Sequence, residues 1–306
     1  MERKLIPQGL GGFTVYLPKK WIDKKGLTKE DTISITESNG DLIIRKDKTS
    51  EKTSTINFDK TDTQYIHYWL THIYRNNYSK IIITGKELPI KEITKIVEKL
   101  LLGFLVTNHT NDKCVIENIA EPSGEKYESI LRRLFFIIKN DISTIQESLN
   151  KKDKETLNEV IKSREQFDKY VYFCKRVIHN DRYNRDPLIH WELLTFLTHV
   201  QHSINYFAEF FKENFQTTKT VNEFIKGLDD YFQSLYNAYF TKDMKYFLKI
   251  MQERKKYHFG GIQNKLINNE DNTNPATLSY LQAIFRMIQI TASPIFEEFL
   301  DDQKNP

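Results

Sequence analysis

Downstream of residue 123 the chain carries no strand signal at all. Apolar residues recur at helical spacing through six stretches, about 124–149, 153–180, 187–215, 219–240, 242–267 and 275–301. Polar breaks separate them: LNKKDK, RYNRDP, QTTKT, the turn at 241–243 and NNEDNTNP. Asp186-Pro187 and Asn274-Pro275 read as helix starts, because proline tolerates the first helical position and the residue before it can cap. The breaks group the helices as three and three, a weak internal duplication. Phe and Tyr crowd the helices (FFII, YVYF, YFAEFF, YFQSLYNAYF), which predicts a packed aromatic core.

Upstream, the pattern alternates strand and helix. A short strand is expected at 55–58 and a helix at 64–75 with Ile66, Trp69, Leu70 and Ile73 on one face. A buried strand (KIIIT) follows at 80–84. A second helix spans 90–102, with Ile93, Ile96, Val97 and Leu100 at helical spacing. Residues 104–107 and 114–118 form a hairpin across HTND. This is a small α/β module of about 65 residues, a further candidate for dimerisation.

The first 47 residues read as short strands at 4–7, 13–17, 32–36 and 41–45. QGLGG joins the first pair and Asn39-Gly40 the second. Ile33 and Ile35 alternate with Thr and Ser, so one strand face is apolar. Pro18 and Gly26 suit the start and end of a short helix between the pairs. So small a unit, without disulfide or metal, needs a partner chain to complete a core. A polar linker, KDKTSEKTS, follows at 46–54.

The net charge of +4 hides an asymmetry. Residues 1–29 hold seven Lys or Arg against Glu2 and Asp23, so the remainder of the chain is close to neutral. A basic patch at one end is the footprint of an anionic partner. No apolar run approaches membrane-spanning length, no apolar segment follows the charges of MERKLIPQG, and Cys114 and Cys174 are isolated. A cytoplasmic protein with reduced thiols and no membrane insertion is expected.

These residues also carry a resemblance. Strand, GG turn, strand ending in Leu17-Pro18, basic KKWIDKKGL at 19–27, Asp31, Ile33, Ile35, then Leu42 and Ile43 is an order similar to the AbrB/SpoVT/MazE-type swapped-hairpin DNA-binding domain. That resemblance covers about 45 residues and implies that two chains interleave hairpins into one small barrel. Relatives commonly place arginines where this chain has Thr14, Ile22 and Asp23; here the charge comes from Lys19, Lys20, Lys24 and Lys25. Lysine meets phosphate as a point charge, whereas arginine reads guanine bidentately. Backbone-dominated, salt-sensitive binding follows. The helical remainder resembles a PhoU domain, two three-helix repeats, and SREQFDKYVYF at 163–173 is its best local match. The combination resembles the archaeal phosphate-uptake-regulator-like family. Where that family's third helix carries metal-binding acids this chain has Gln201, His202 and Asn205, so the family's metal chemistry is not carried over.

The expected architecture is therefore multidomain α+β. It comprises a dimeric swapped-hairpin barrel at 1–48, a linker at 49–54, the α/β module at 55–120 and a PhoU-like six-helix domain at 121–306, with repeats at 121–215 and 216–306. The expected DNA contacts are Arg3, Lys4, Thr14, Lys19, Lys20, Lys24 and Lys25; Lys19, Lys20 and Lys24 share an outer face while Trp21 and Ile22 anchor inward. A metal site assembled from Glu165, Asp168, Glu192, His199 and His202 is conceivable, since imidazole and carboxylate suit zinc, iron or manganese. Without HExxH, a facial triad or CxxC, capped or exposed histidines are the plainer reading. No phosphate loop, GxSxG or nucleophilic cysteine signature occurs, so no catalysis and no cofactor are expected. Gly260-Gly261 reads as a helix break or a tight helix contact. The expected function is a dimeric, DNA-binding transcriptional regulator linked to phosphate uptake or signalling. The alternative is an adaptor that contacts a phosphate transporter or kinase and uses the barrel only to dimerise.

Overall fold

A computed structural model of the chain describes residues 2–9, 11–38, 41–46, 52–58, 63–120, 124–179, 185–269 and 271–304. The chain divides into two compact units, residues 1–51 and 52–306. The Asn39-Gly40 turn and most of the expected linker lie outside the described residues.

In the first unit β1 (Ile6–Gln8) pairs antiparallel with β2 (Gly12–Thr14), and β3 (Ser34–Ser38) with β4 (Asp41–Arg45). These are two separate two-stranded sheets, and no barrel closes among the described residues. Between them lies α1 (Lys19–Lys25). Pro18, in extended conformation, precedes it, and Gly26, in the left-handed region at φ 58°, ends it. That backbone turn is one glycine adopts without strain. No described residue of this unit is buried; Phe13, Tyr16, Ile35 and Leu42 each stand more than half exposed. The alternating apolar pattern is present, but one chain does not supply a core to receive it.

The second unit begins with β5 (Thr53–Phe58), two residues before the expected strand. Then come α2 (Thr63–Arg75), β6 (Lys80–Gly85), α3 (Ile90–Leu100), β7 (Phe104–His109) and β8 (Lys113–Asn118). The sheet order is β5-β6-β8-β7, with β5 and β6 parallel and the other pairs antiparallel; a bulge interrupts β7 between Val106 and Asn108. The inward residues of the strands (Ile56, Ile81, Ile83, Cys114, Ile116) meet Ile66 and Leu70 of α2 and Ile93 and Val97 of α3 in one buried cluster. Residues of the opposite sheet face, Thr55, Ile82, Val115 and Leu105, are half-buried or exposed.

One expectation fails here. Trp69 does not join Ile66, Leu70 and Ile73 in the core; it is 53% exposed. At ~100° per residue it falls at the rim of the apolar arc, and the sheet reaches only Ile66, Leu70 and Ile73.

The helical region holds α4 (Gly124–Lys151), a short 3-10 turn (Lys154–Thr156), α5 (Leu157–Ile178), α6 (Pro187–Glu213), α7 (Lys219–Thr241), α8 (Met244–Arg254), a π-turn (Lys255–Phe259), α9 (Gly261–Asn268) and α10 (Pro275–Lys304). Both proline starts hold: Asp186 caps α6 by accepting from the N–H of Leu188 at 2.7 Å and of Ile189 at 3.2 Å. The fifth expected helix, 242–267, is broken by the π-turn just before Gly260-Gly261. A Cβ on Gly261 would lie 2.2 Å from the Lys256 carbonyl oxygen. The core is aromatic: Phe135 stacks on Tyr239, Phe207 on Phe211, and Tyr257 on Phe285 with centroids 4.3 Å apart. α5 packs against α2 and α3, so these two helices form the middle layer between sheet and bundle. No helix among the described residues is long and apolar enough to cross a membrane.

Candidate nucleic-acid interface

α1 owes its existence to its ends. Seven residues cannot sustain a helix by propensity alone, but Pro18 presets the entry, the Trp21 and Ile22 N–H groups bond the Pro18 carbonyl, and Gly26 returns its N–H to Asp23. Thr28 and Asp31 close the following turn: the Thr28 N–H donates to the Asp31 carboxylate at 2.6 Å and its hydroxyl donates at 2.9 Å. These bonds to Thr28 hold the Asp31 carboxyl below its ordinary range. Lys46 Nζ donates to the Lys25 carbonyl at 2.9 Å, tying the end of β4 to the end of α1.

Four lysines against one acid, Asp23, decorate this helix, and Lys19, Lys20, Lys24 and Lys25 are all exposed. At ~100° per residue Lys19, Lys20 and Lys24 share one arc with Asp23 among them; Lys25 projects between Trp21 and Ile22. The last turn holds Lys24 and Lys25, where the helix dipole favours cations. Trp21 and Ile22 are half-buried rather than anchored in a core. Arg3 and Lys4 are exposed in the extended segment before β1. Thr14, half-buried at the end of β2, donates its hydroxyl to the Gln8 side chain. Lys46, expected as the first residue of the polar linker, has a structural role here.

Of Glu165, Asp168, Glu192, His199 and His202, the structure brings Asp168 and His202 together. Asp168 meets His202 Nε2 at 2.8 Å and, more distantly, Arg164 Nε at 4.0 Å. Glu165 is instead paired with Lys99 at 2.5 Å, across a cleft of about 590 Å³ between α2, α3 and α5. Glu192 is half-buried and His199 exposed. Among the described residues no group of three or more His, Cys, Asp or Glu side chains is placed to hold a metal ion.

Two buried polar clusters had no linear signal. Asp141 accepts from Ser163 Oγ at 2.9 Å and Gln201 Nε2 at 3.2 Å, joining α4, α5 and α6. Burial pushes its carboxyl up to about 7 against those two bonds. Elsewhere in the bundle Glu298 meets Arg185 Nη1 at 2.7 Å, Lys242 Nζ at 3.1 Å and His190 Nε2 at 3.5 Å. Both thiols are buried and free, and burial pushes each up. No protein-family model, no curated protein and no solved structure matches this chain.

Proposed function

We propose that the chain is a DNA-binding regulator that acts as a pair of copies, with α1 of each copy laid against the phosphate backbone. The observation that carries this reading is the exposed lysine face of α1 on a unit that buries none of its described residues. Such a unit needs a second chain to cover Phe13, Ile35 and Leu42, and pairing doubles the lysine face. The swapped-hairpin barrel suggested by resemblance is one way to complete that core. The helical region then serves as the body that senses a signal or partner; the resemblance to phosphate-uptake regulators points to phosphate status as that signal.

Lysine-to-phosphate contacts release counterions, so affinity falls steeply with salt. Six contacts, Lys19, Lys20 and Lys24 in each of two copies, account for about 5 of the slope of log K against log salt. Band-shift titration of a duplex between low and moderate salt, with and without Lys19→Ala, Lys20→Ala and Lys24→Ala together, measures this. Loss of most of the slope is the expected result. Absence of binding at low salt, or a triple variant that binds as tightly, sinks the reading and leaves the adaptor alternative.

A further inference from the structure

Among the described side chains of α2, one arc stays open to solvent. Ile66, Leu70 and Ile73 pack in the core beneath the sheet. Thr71 and Tyr74 are buried, and Arg75 stacks over Tyr172 of α5 at 5.2 Å. The remaining arc holds Tyr65, Tyr68, Trp69 and His72. The three large rings are 61, 60 and 53% exposed, and His72 is exposed as well. Their spacing of i, i+3, i+4 and i+7 makes one continuous stripe.

Aromatic side chains cover ~150–250 Å² each, so the three rings expose about 350 Å² together. That is the size of the largest apolar patch on an ordinary monomer, and such patches mark contact sites. Tyr and Trp are also the residues that dominate binding energy at interfaces.

The chemistry of the stripe selects its occupant. It carries no carboxylate, lysine or arginine, so it lacks the charges that hold a phosphate backbone by counterion release and has no like-charged pair of those types to repel an identical face. Its two ends are complementary. His72 Nδ1 lies 2.7 Å from the Tyr68 carbonyl oxygen, to which it donates. In the neutral imidazole Nε2 is then the acceptor, and Tyr65 at the opposite end carries a hydroxyl that can donate to it.

We propose that this stripe is a contact between two copies of the chain, with the α2 helices antiparallel across a two-fold axis. Tyr65 of each copy then meets His72 of the other, and Tyr68 meets Trp69, as an isologous interface requires. The two stripes cover about 700 Å² in all, short of the ~1,200 Å² that a stable interface needs. The contact therefore rests on the reading that the first unit pairs two copies. Tethering turns α2 pairing into an intramolecular event at millimolar effective concentration.

The test uses the full chain. Sedimentation velocity gives the dimer dissociation constant for the wild type, Tyr68→Ala and Trp69→Ala, and a band shift at low salt gives DNA affinity on the same samples. A rise of tenfold or more in the dimer constant for both variants is expected. An unchanged constant overturns the proposal, as does an unchanged constant with weakened DNA binding, which would make the stripe a nucleic-acid contact. A monomeric wild type overturns it too. Absence of DNA binding by a chain whose dimer the variants weaken sinks the DNA reading alone. A second variant carrying Tyr65→Cys and His72→Cys guards against misfolding of the alanine variants. Both native thiols are buried, so mild oxidation is expected to yield a covalent dimer, and a non-covalent dimer that never crosslinks overturns the arrangement.

Discussion

Arg176 Nη1 donates to the Tyr78 carbonyl at 2.7 Å and to the Tyr74 carbonyl at 3.1 Å, stitching bundle helix α5 to the C-terminal end of α2. The side chain is 1% exposed, and its guanidinium lies 5.1 Å from the Tyr74 ring centre and 4.8 Å from that of Phe104. A buried cation is costly unless satisfied. Here carbonyls at the negative end of α2 and two aromatic faces receive it.

Arg176→Ala is therefore expected to destabilise the second unit by about 3–5 kcal/mol, because charge-assisted bonds are lost and two carbonyls and a cavity remain. Arg176→Lys recovers only part, since a compact ammonium does not replace the planar guanidinium set against the Tyr74 and Phe104 rings. Urea denaturation of the three proteins checks both statements. A loss below 1 kcal/mol for alanine would mean that α5 and α2 are held by apolar packing alone.

What could be read in advance follows from the range of the interactions. Local signals were legible: Pro18 and Gly26 at the ends of α1, Asp186-Pro187, Asn274-Pro275, and the periodicity of Ile93, Val97 and Leu100. The π-turn was not, because apolar spacing continues through 242–267 and only Gly260-Gly261 hints at the break. Trp69 keeps the apolar spacing yet stays exposed, because periodicity gives a helix's apolar arc and not the width of the surface that covers it. For the candidate site, the lysines were legible as a charge asymmetry along the chain. Asp141, Ser163 and Gln201 were not, since each stands singly on its own helix and only tertiary packing brings them together.

A close approach inside the second half of the bundle is also testable. A Cβ on Gly227 of α7 would lie 2.7 Å from Cε1 and the hydroxyl oxygen of Tyr257, whose ring is clamped face to face on Phe285. Gly227→Ala is expected to cost about 1–3 kcal/mol by overpacking, in spite of alanine's better helix propensity. In a Tyr257→Leu background the same substitution should become neutral or stabilising. A double-mutant cycle from thermal melts reads the coupling; equal costs in both backgrounds would exclude the ring as the obstacle.

Asp141 sets a pH dependence of definite sign. Its folded carboxyl is pushed to about 7 by burial, against an ordinary value of 3.8. Between those values the folded chain holds a proton that the unfolded chain has released. The associated stability is thus complete below about pH 4 and is lost as pH rises through 7. The full span is about 4 kcal/mol. Asp141→Asn removes the titration, so its stability should change little between pH 5 and 8 and exceed the wild type's at pH 8. Urea midpoints at the two pH values give the answer, and a variant with the wild-type slope would place the titrating group elsewhere.

Glu298 acts in the opposite sense and in a separate window. Burial alone would raise its carboxyl. The hydrogen bond and charge of His190, together with Lys242, outweigh that and hold it down at about 2 against 4.5. Its stabilisation is therefore present above about pH 4.5 and is lost as pH falls through 2. Glu298→Gln leaves Arg185 and Lys242 facing a neutral amide in a site where the native side chain is 7% exposed. A loss of about 3 kcal/mol at pH 7 is expected, with the gap to the wild type closing as pH falls below 4. Thermal melts from pH 2.5 to 7 measure it. A gap that stays constant would mean that shape, and not charge, is what Glu298 contributes where α4, α6, α7 and α10 converge.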